Sequence, residues 1–294
     1  MRRQFSGYNP LSTEDWAKLQ KANIVRRVLY PFGKGSASET PTPSFEPEYQ
    51  AILDYATTQG YTLPSSSQQT LQNSIVSSLK SAGIWNDLDL FYVMATDGDS
   101  EYSRLNWKNP SSYRLNNADG STNMTFETNK GWRPTTRLNI NNFTTNYNPA
   151  INATGFTRDD ASRFVWDYDF RSGTGVYDGN AFNYQNTMLV NNSTNHHINN
   201  ISNLPSAFNN TGVGFKMIQR TSSTNVNMYN NSSTPTSFTS ASDPVYSAGA
   251  GGQRIWRAGA GQGENLLSFY GLGASLSGKE SSLFNTITTY MSSI

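Results

Sequence analysis

Phe164-Val165-Trp166-Asp167-Tyr168-Asp169-Phe170 sets an aromatic ring at every second position and a small or acidic residue between. Side chains along a strand alternate between its two faces. The stretch therefore predicts a strand with Phe164, Trp166, Tyr168 and Phe170 against a core, and Asp167 and Asp169 on a solvated side. Outward from it, Leu88 to Ala95, Gly214 to Arg220, Asn225 to Tyr229, Gln253 to Arg257 and Leu266 to Gly273 read as further strands. Turn chemistry at Asp97-Gly98, Asp119-Gly120, Asp178-Gly179 and Asn230-Asn231 punctuates them. Short strands separated by frequent turns predict an antiparallel sandwich or barrel rather than a parallel α/β sheet.

Composition agrees. The 294 residues are 35% hydrophobic and only 15% charged, and Asn, Ser and Thr fill the difference. Such residues compete for backbone hydrogen bonds and favour turns and loops. Aromatic residues, at 13%, supply the apolar volume that a core needs. A net charge of +1 offers no field to draw nucleic acid or an anionic membrane. Cysteine is absent, which excludes disulfides, thiolate metal sites and cysteine nucleophiles, and leaves packing or assembly to stabilise the fold. Met1-Arg2-Arg3 is not followed by an apolar run, so neither a signal peptide nor a membrane span is expected.

Helices frame the strands. Pro47 suits a first helical turn, with Tyr49, Ile52, Leu53 and Ala56 on one face before Gly60. Ser65 and Gln68 form a capping box ahead of Leu71, Ile75 and Leu79, and Gly83 closes that helix. Ser277 and Glu280 make a second capping box before Leu283, Phe284, Ile287, Tyr290 and Met291. Near the N-terminus, Trp16, Leu19, Ile24, Val25 and Val28 form an apolar stripe that needs a partner surface, followed by a Gly/Ser/Thr/Pro-rich linker. The expected organisation is a docking arm and linker over 1–45, a helical hairpin leading into the first strand over 46–95, and a jelly-roll sandwich with a C-terminal helix over 96–294.

A resemblance rests on particular residues. They are Gln59-Gly60-Tyr61-Thr62-Leu63-Pro64 through Leu71, Leu79-Lys80-Ser81-Ala82-Gly83-Ile84-Trp85, Leu88-Asp89-Leu90-Phe91-Tyr92-Val93, Asp97-Gly98-Asp99, Leu105-Asn106-Trp107-Lys108-Asn109-Pro110, and the ending from Ser268 through Tyr290. Together they resemble structural proteins of tailed phages, notably those of gut Bacteroidota, over about residues 47–132 and 264–294. The resemblance implies a concanavalin- or laminin-G-like jelly roll in the middle. It further implies a virion protein of the tail- or head-fibre type, made in the bacterial cytoplasm and displayed on the particle. Other virion proteins are the expected partners of the arm, and homo-oligomerisation, commonly trimeric, is expected.

Several constellations bear on chemistry. Asp97, Asp99 and Glu101 form an oxygen-rich cluster that reads either as a calcium loop or as a tight turn with solvated acids; the spacing is not that of an EF-hand. Asp167 and Asp169 have the i, i+2 spacing of a glycosidase carboxylate pair, against the reading of a solvated strand face. His196 and His197 are the only histidines and lack neighbours for a zinc site or a Ser-His-Asp array. No phosphate-binding loop or nucleophile elbow is present. The chain is therefore expected not to be an enzyme and to need no cofactor, calcium aside. For a displayed sandwich the expected ligand is a host surface glycan. Tyr147, Tyr177 and Tyr229 would stack on sugar rings and Asn146, Asp178 and Asn230 would bond hydroxyls, unless these residues pack the core periphery instead. The alternatives are a head or neck component touching only other virion proteins, and a capsule depolymerase working through Asp167 and Asp169.

Overall fold

In the computed structural model, residues 44–118, 124–135, 142–170, 175–180, 188–191, 198–199, 212–242, 253–258, 261–262 and 265–294 are described. The chain divides into two units, Met1–Ser44 and Phe45–Ile294. The arm expected over 1–45 lies outside the described residues except for its last two.

Two helices come first, α1 (Pro47–Thr58) and α2 (Ser66–Ser81). Pro47 sits in the first turn of α1, where its missing N–H removes nothing. Both helices end the same way. Gly60 and Gly83 adopt φ of +75° and +68°, and the residues after them, Tyr61 and Ile84, donate back to Ala56 and Leu79. This is the Schellman closure, which places a glycine in the left-handed region. Ser65 accepts from the Gln68 amide at 3.4 Å, but the Gln68 side chain does not return the bond as the capping box predicts. Instead it reaches Thr96 and Asn129.

The strands then follow as β1 (Leu88–Val93), β2 (Asn116–Asn117), β3 (Met124–Glu127), β4 (Gly131–Pro134), β5 (Phe143–Thr144), β6 (Ala161–Asp169), β7 (Gly175–Asn180), β8 (Met188–Asn191), β9 (Gly214–Arg220), β10 (Asn225–Asn230), β11 (Thr236–Thr239), β12 (Gln253–Ile255), β13 (Arg257–Ala258), β14 (Gly261–Gln262) and β15 (Leu266–Gly273). Helix α3 (Glu280–Met291) closes the chain. An antiparallel sheet runs β11-β10-β9-β6-β15-β4-β3, and β1 also pairs with β15, so β1 and β4 share one edge of that strand. A smaller sheet runs β2-β5-β12-β7-β8. Among the described residues the fold is thus a mainly β, antiparallel sandwich flanked by three longer helices, with a single helical turn at Pro149–Asn152.

The larger sheet is the middle of three layers. On one side Phe91, Phe164, Phe215, Met217 and Phe269 pack with Tyr49, Ile52, Ile75, Leu79, Leu283 and Ile287 of the helices. Aromatic rings run through this layer: Phe91 lies 5.8 Å from Trp107, 6.1 Å from Phe164 and 6.0 Å from Phe269. On the other side Leu90, Tyr92, Val165, Ile218, Met228, Tyr270 and Leu272 pack with Phe143, Phe156, Ile255 and Trp256. The solvated face predicted for β6 is therefore corrected. Arg163, Val165 and Asp167 are buried against the second layer, and the exposed member of the strand is Tyr168, from the aromatic set. Between helices and a second sheet, only the Tyr168–Asp169 end of this strand reaches water.

Gln72 ties the helices to the sheet. It is fully buried, and its carboxamide makes four hydrogen bonds. Oε1 accepts from the hydroxyls of Tyr49 and Tyr102, both at 2.8 Å, and Nε2 donates to Thr96 and Tyr290, both at 3.2 Å. The Tyr290 hydroxyl in turn donates to the Ala95 carbonyl at 2.7 Å. The second predicted capping box is also corrected. Helix α3 begins after Lys279 without a side-chain cap, because the Glu280 carboxylate crosses to the sheet and accepts from Gln219 and Tyr229. Gln72→Leu strands the Tyr49 and Tyr102 hydroxyls in an apolar layer and is expected to cost about 2–4 kcal/mol. A lower denaturant midpoint with unchanged far-UV circular dichroism checks this, and an unchanged midpoint refutes it.

Candidate functional site

The inner face of the sheet carries charge where alternation predicts apolar side chains. In β9, Phe215 and Met217 turn to the helices, while Lys216, Ile218 and Arg220 turn to the second layer. Register then places Lys216 opposite Val165 of β6 and opposite Asn230 of β10. Its Nζ donates to Asn230 Oδ1 at 3.0 Å. Lys216 is fully buried, and desolvation lowers its ammonium to about 8, against the upward pull of Asp167. Asp167, also fully buried, stands opposite Gly214, one diagonal step from Lys216, and accepts from the Asn265 carboxamide. Farther along the same face, buried Arg220 donates to the carbonyls of Ile198 and Ser240, both at 2.8 Å. Burial lowers its guanidinium to about 10, with Asp159 opposing. Arg163 lies over the Phe156 ring at 5.0 Å. An amine, a carboxyl and a carboxamide thus meet on three adjacent strands in a water-poor layer, a setting suited to proton and acyl transfer.

Two of the three tyrosines predicted to meet glycan are buried. Tyr147 and Tyr229 are both 1% exposed, so neither presents a ring face. The Tyr229 hydroxyl donates to Glu280 at 2.9 Å and accepts from Gln219 at 2.6 Å, and burial followed by Glu280 raises its pKa. Tyr177 and Asp178 belong to β7 rather than to a rim loop, and Asp178 pairs with Ile255 and Met188; their side chains lie outside the described ones. Asp178-Gly179 is accordingly strand, not turn. Asn146 is exposed in left-handed backbone, and Asn230 bonds Lys216. His196 and His197 lie outside the described residues, as does Asp119-Gly120.

The acidic loop has other partners than calcium. Asp97 accepts from the Ser65 amide at 3.0 Å. Asp99 accepts from the amides of Thr62 at 2.6 Å, Glu101 at 3.0 Å and Tyr102 at 2.8 Å. Glu101 pairs with Arg114 and, at 3.7 Å, with Arg104. Among the described residues no group of three or more His, Asp and Glu is gathered for a metal ion. These carboxylates pin the 62–65 segment and the backbone leading into Tyr102–Arg104, the arrangement that the tight-turn reading describes.

The carboxylate pair is also separated. Pairing slips between Leu266 and Leu267 of β15 opposite Asp169 and Asp167, so one step on β15 spans two on β6. Asp167 is buried beside Asn265, whereas the Asp169 side chain is 45% exposed and accepts from Arg133 at 2.8 Å, which also pairs with Glu127. Elsewhere, a groove of about 240 Å³ between α2 and α3 has an apolar floor of Leu71, Ile75 and Tyr290 and a rim of Ser74, Ser78 and Thr289.

No protein-family model matches the chain, and no curated protein matches it. Among solved structures it is similar to a sialidase from Trypanosoma rangeli, with 11% identity over 76% of this chain and a TM-score of 0.43. The chain spans 40% of that enzyme's length. It is also similar to domain 4 of an extracellular GH43 arabinanase from Geobacillus stearothermophilus, solved with arabinotriose. There the identity is 13%, coverage is 67% of this chain and 98% of the domain, and the TM-score is 0.36. The expectation that the chain is not an enzyme is corrected by these likenesses, both to parts of glycosidases, and the exclusion is withdrawn. At such scores neither assigns an activity.

Sequence reading missed Lys216. Its signal is a lone lysine between Phe215 and Met217, at the inward position of a strand that was itself correctly bounded. Asp99→Ala removes the acceptor for three amides and is expected to lower stability by about 1–2 kcal/mol. The loss should be equal in calcium and in EDTA. A calcium-dependent rise in the melting temperature of the unaltered protein would favour the metal reading.

Proposed function

We propose that this chain is a structural protein of a tailed-phage particle, a helical frame carrying a displayed sandwich that binds surface glycan. One observation carries the reading. The two separated stretches that resemble phage structural proteins, about 47–132 and 264–294, close on each other. β1 pairs with β15 from Leu88↔Gly273 to Val93↔Phe269, and Gln72 bonds Tyr290. Helices α1, α2 and α3 all pack on the face of the sheet that these stretches help to build. The parts that resemble the phage proteins thus meet in one frame, and the Asn/Ser/Thr-rich middle continues the sheet from β15 through β6. This division suits a protein whose frame is anchored in a particle while the middle faces outward.

On this reading the arm over 1–45 engages other virion proteins, copies of the chain assemble together, and the sandwich contacts a host surface polysaccharide. Antibodies raised against the purified protein are expected to decorate an appendage of intact particles in immunogold microscopy. Particles that carry neither label nor peptides of this chain would refute the virion role. Purified protein should also bind extracted capsule saturably, with reducing ends assayed in the same tubes. Binding without new reducing ends fits an adhesin, and release of sugar replaces adhesion by hydrolysis. Absence of both removes the glycan from the proposal.

A further inference from the structure

We propose that Lys216 and Asn230 become joined by an intramolecular isopeptide bond, with the neighbouring Asp167 carrying the proton, so that β9 and β10 are covalently stapled. The geometry brings the reactants together before any reaction. Lys216 and Asn230 are register partners on adjacent antiparallel strands and point to the same inner face, and Nζ already lies 3.0 Å from Asn230 Oδ1. The electrophilic Cγ is one bond beyond that oxygen. Asp167 occupies the diagonal position on the other flanking strand, two residues from Val165, which stands directly opposite Lys216. Diagonal neighbours on one sheet face are about 7–8 Å apart, within reach of a lysine side chain. Lys216 and Asp167 are both fully buried, among Val165, Ile218, Met228 and Tyr270 of the same layer.

The chemistry balances without any other reactant. The Nζ lone pair attacks Cγ of Asn230 and forms the new C–N bond. A proton passes from Nζ through the Asp167 carboxyl to Nδ2, the Cγ–Nδ2 bond breaks, and ammonia leaves. Burial favours the attack. It enriches the neutral, nucleophilic amine, since desolvation brings Lys216 down to about 8, while the half-buried Asn230 presents its carbonyl to that amine. Holding amine and carboxamide in contact makes the step unimolecular, which is where amide formation gains most of its rate. The chain has no cysteine, so a cross-link of this kind is a covalent staple open to it without a redox reaction.

Intact-mass measurement of the folded full chain decides the matter. The expected mass is lighter than the sequence mass by one ammonia. Trypsin should then fail to cut after Lys216 and should yield a branched peptide linking Lys216 to Asn230. Lys216→Met and Asn230→Ala should each restore the full mass, and Asp167→Asn should do so while circular dichroism shows the fold retained. Unaltered folded protein at its full sequence mass overturns the proposal. So does an ammonia loss that persists in Lys216→Met, which marks cyclisation at an asparagine. Loss of water with the branch at Asp167 overturns the assignment of Asn230.

Discussion

One carboxamide holds the frame together. Gln72 satisfies both its acceptor positions and both its donors without water, and its four partners come from the first helix, the segment after β1, the turn Tyr102–Arg104 and the last helix. Apolar contacts alone would let three helices slide on an aromatic sheet face, because dispersion and desolvation are nearly blind to direction. A buried amide is not, since each bond missed leaves a polar group stranded in a low-dielectric layer. The ring contacts around Phe91 supply much of the apolar burial, and the amide selects one docking of the helices among those the rings would tolerate.

The same contrast runs through the second layer. The centre of the larger sheet is buried on both faces, yet its inner face holds Lys216, Arg220, Arg163 and Asp167. Removing such groups from water is expensive, and the structure compensates locally. Arg220 is held by backbone carbonyls, Lys216 by Asn230, and Asp167 by Asn265. A chain poor in aliphatic residues thus completes its interior with polar side chains that bond one another, which suits a composition rich in Asn, Ser and Thr.

Much of the architecture was legible in the sequence. Gly214 to Arg220 and Leu266 to Gly273 are strands with the bounds their residues suggest, because glycines end them and apolar residues fill them. Leu283, Ile287 and Tyr290 are buried along α3 as their spacing implies. The misassigned face of β6 has a plain cause. Periodicity separates the two faces of a strand but cannot say what covers each face, so Asp167 was assigned to water when a second layer lay above it. Tyr229 was assigned to sugar stacking although it ends a stretch, Asn225 to Tyr229, that reads as strand among asparagines. Those asparagines belong to a strand, where Asn227 accepts from Ser237 of β11 and Asn230 accepts from Lys216. The acidic loop was open to two readings for another reason: carboxylates that serve backbone amides from distant segments have the same local spacing as metal ligands.

The centre of the sheet is the last strand of the chain. β15 pairs with β6 on one side and with β1 and β4 on the other, so until Leu266 to Gly273 have left the ribosome the two halves of the sheet have no connection. Their inner edges are meanwhile unpaired and lined by Phe91, Phe164 and Trp166. Folding of this chain is thus dominated by contacts between sequence-distant strands, a topology that folds slowly and leaves open edges accessible to other nascent copies. Correct closure is thus a race between the arrival of the chain's own central strand and that of a neighbour's.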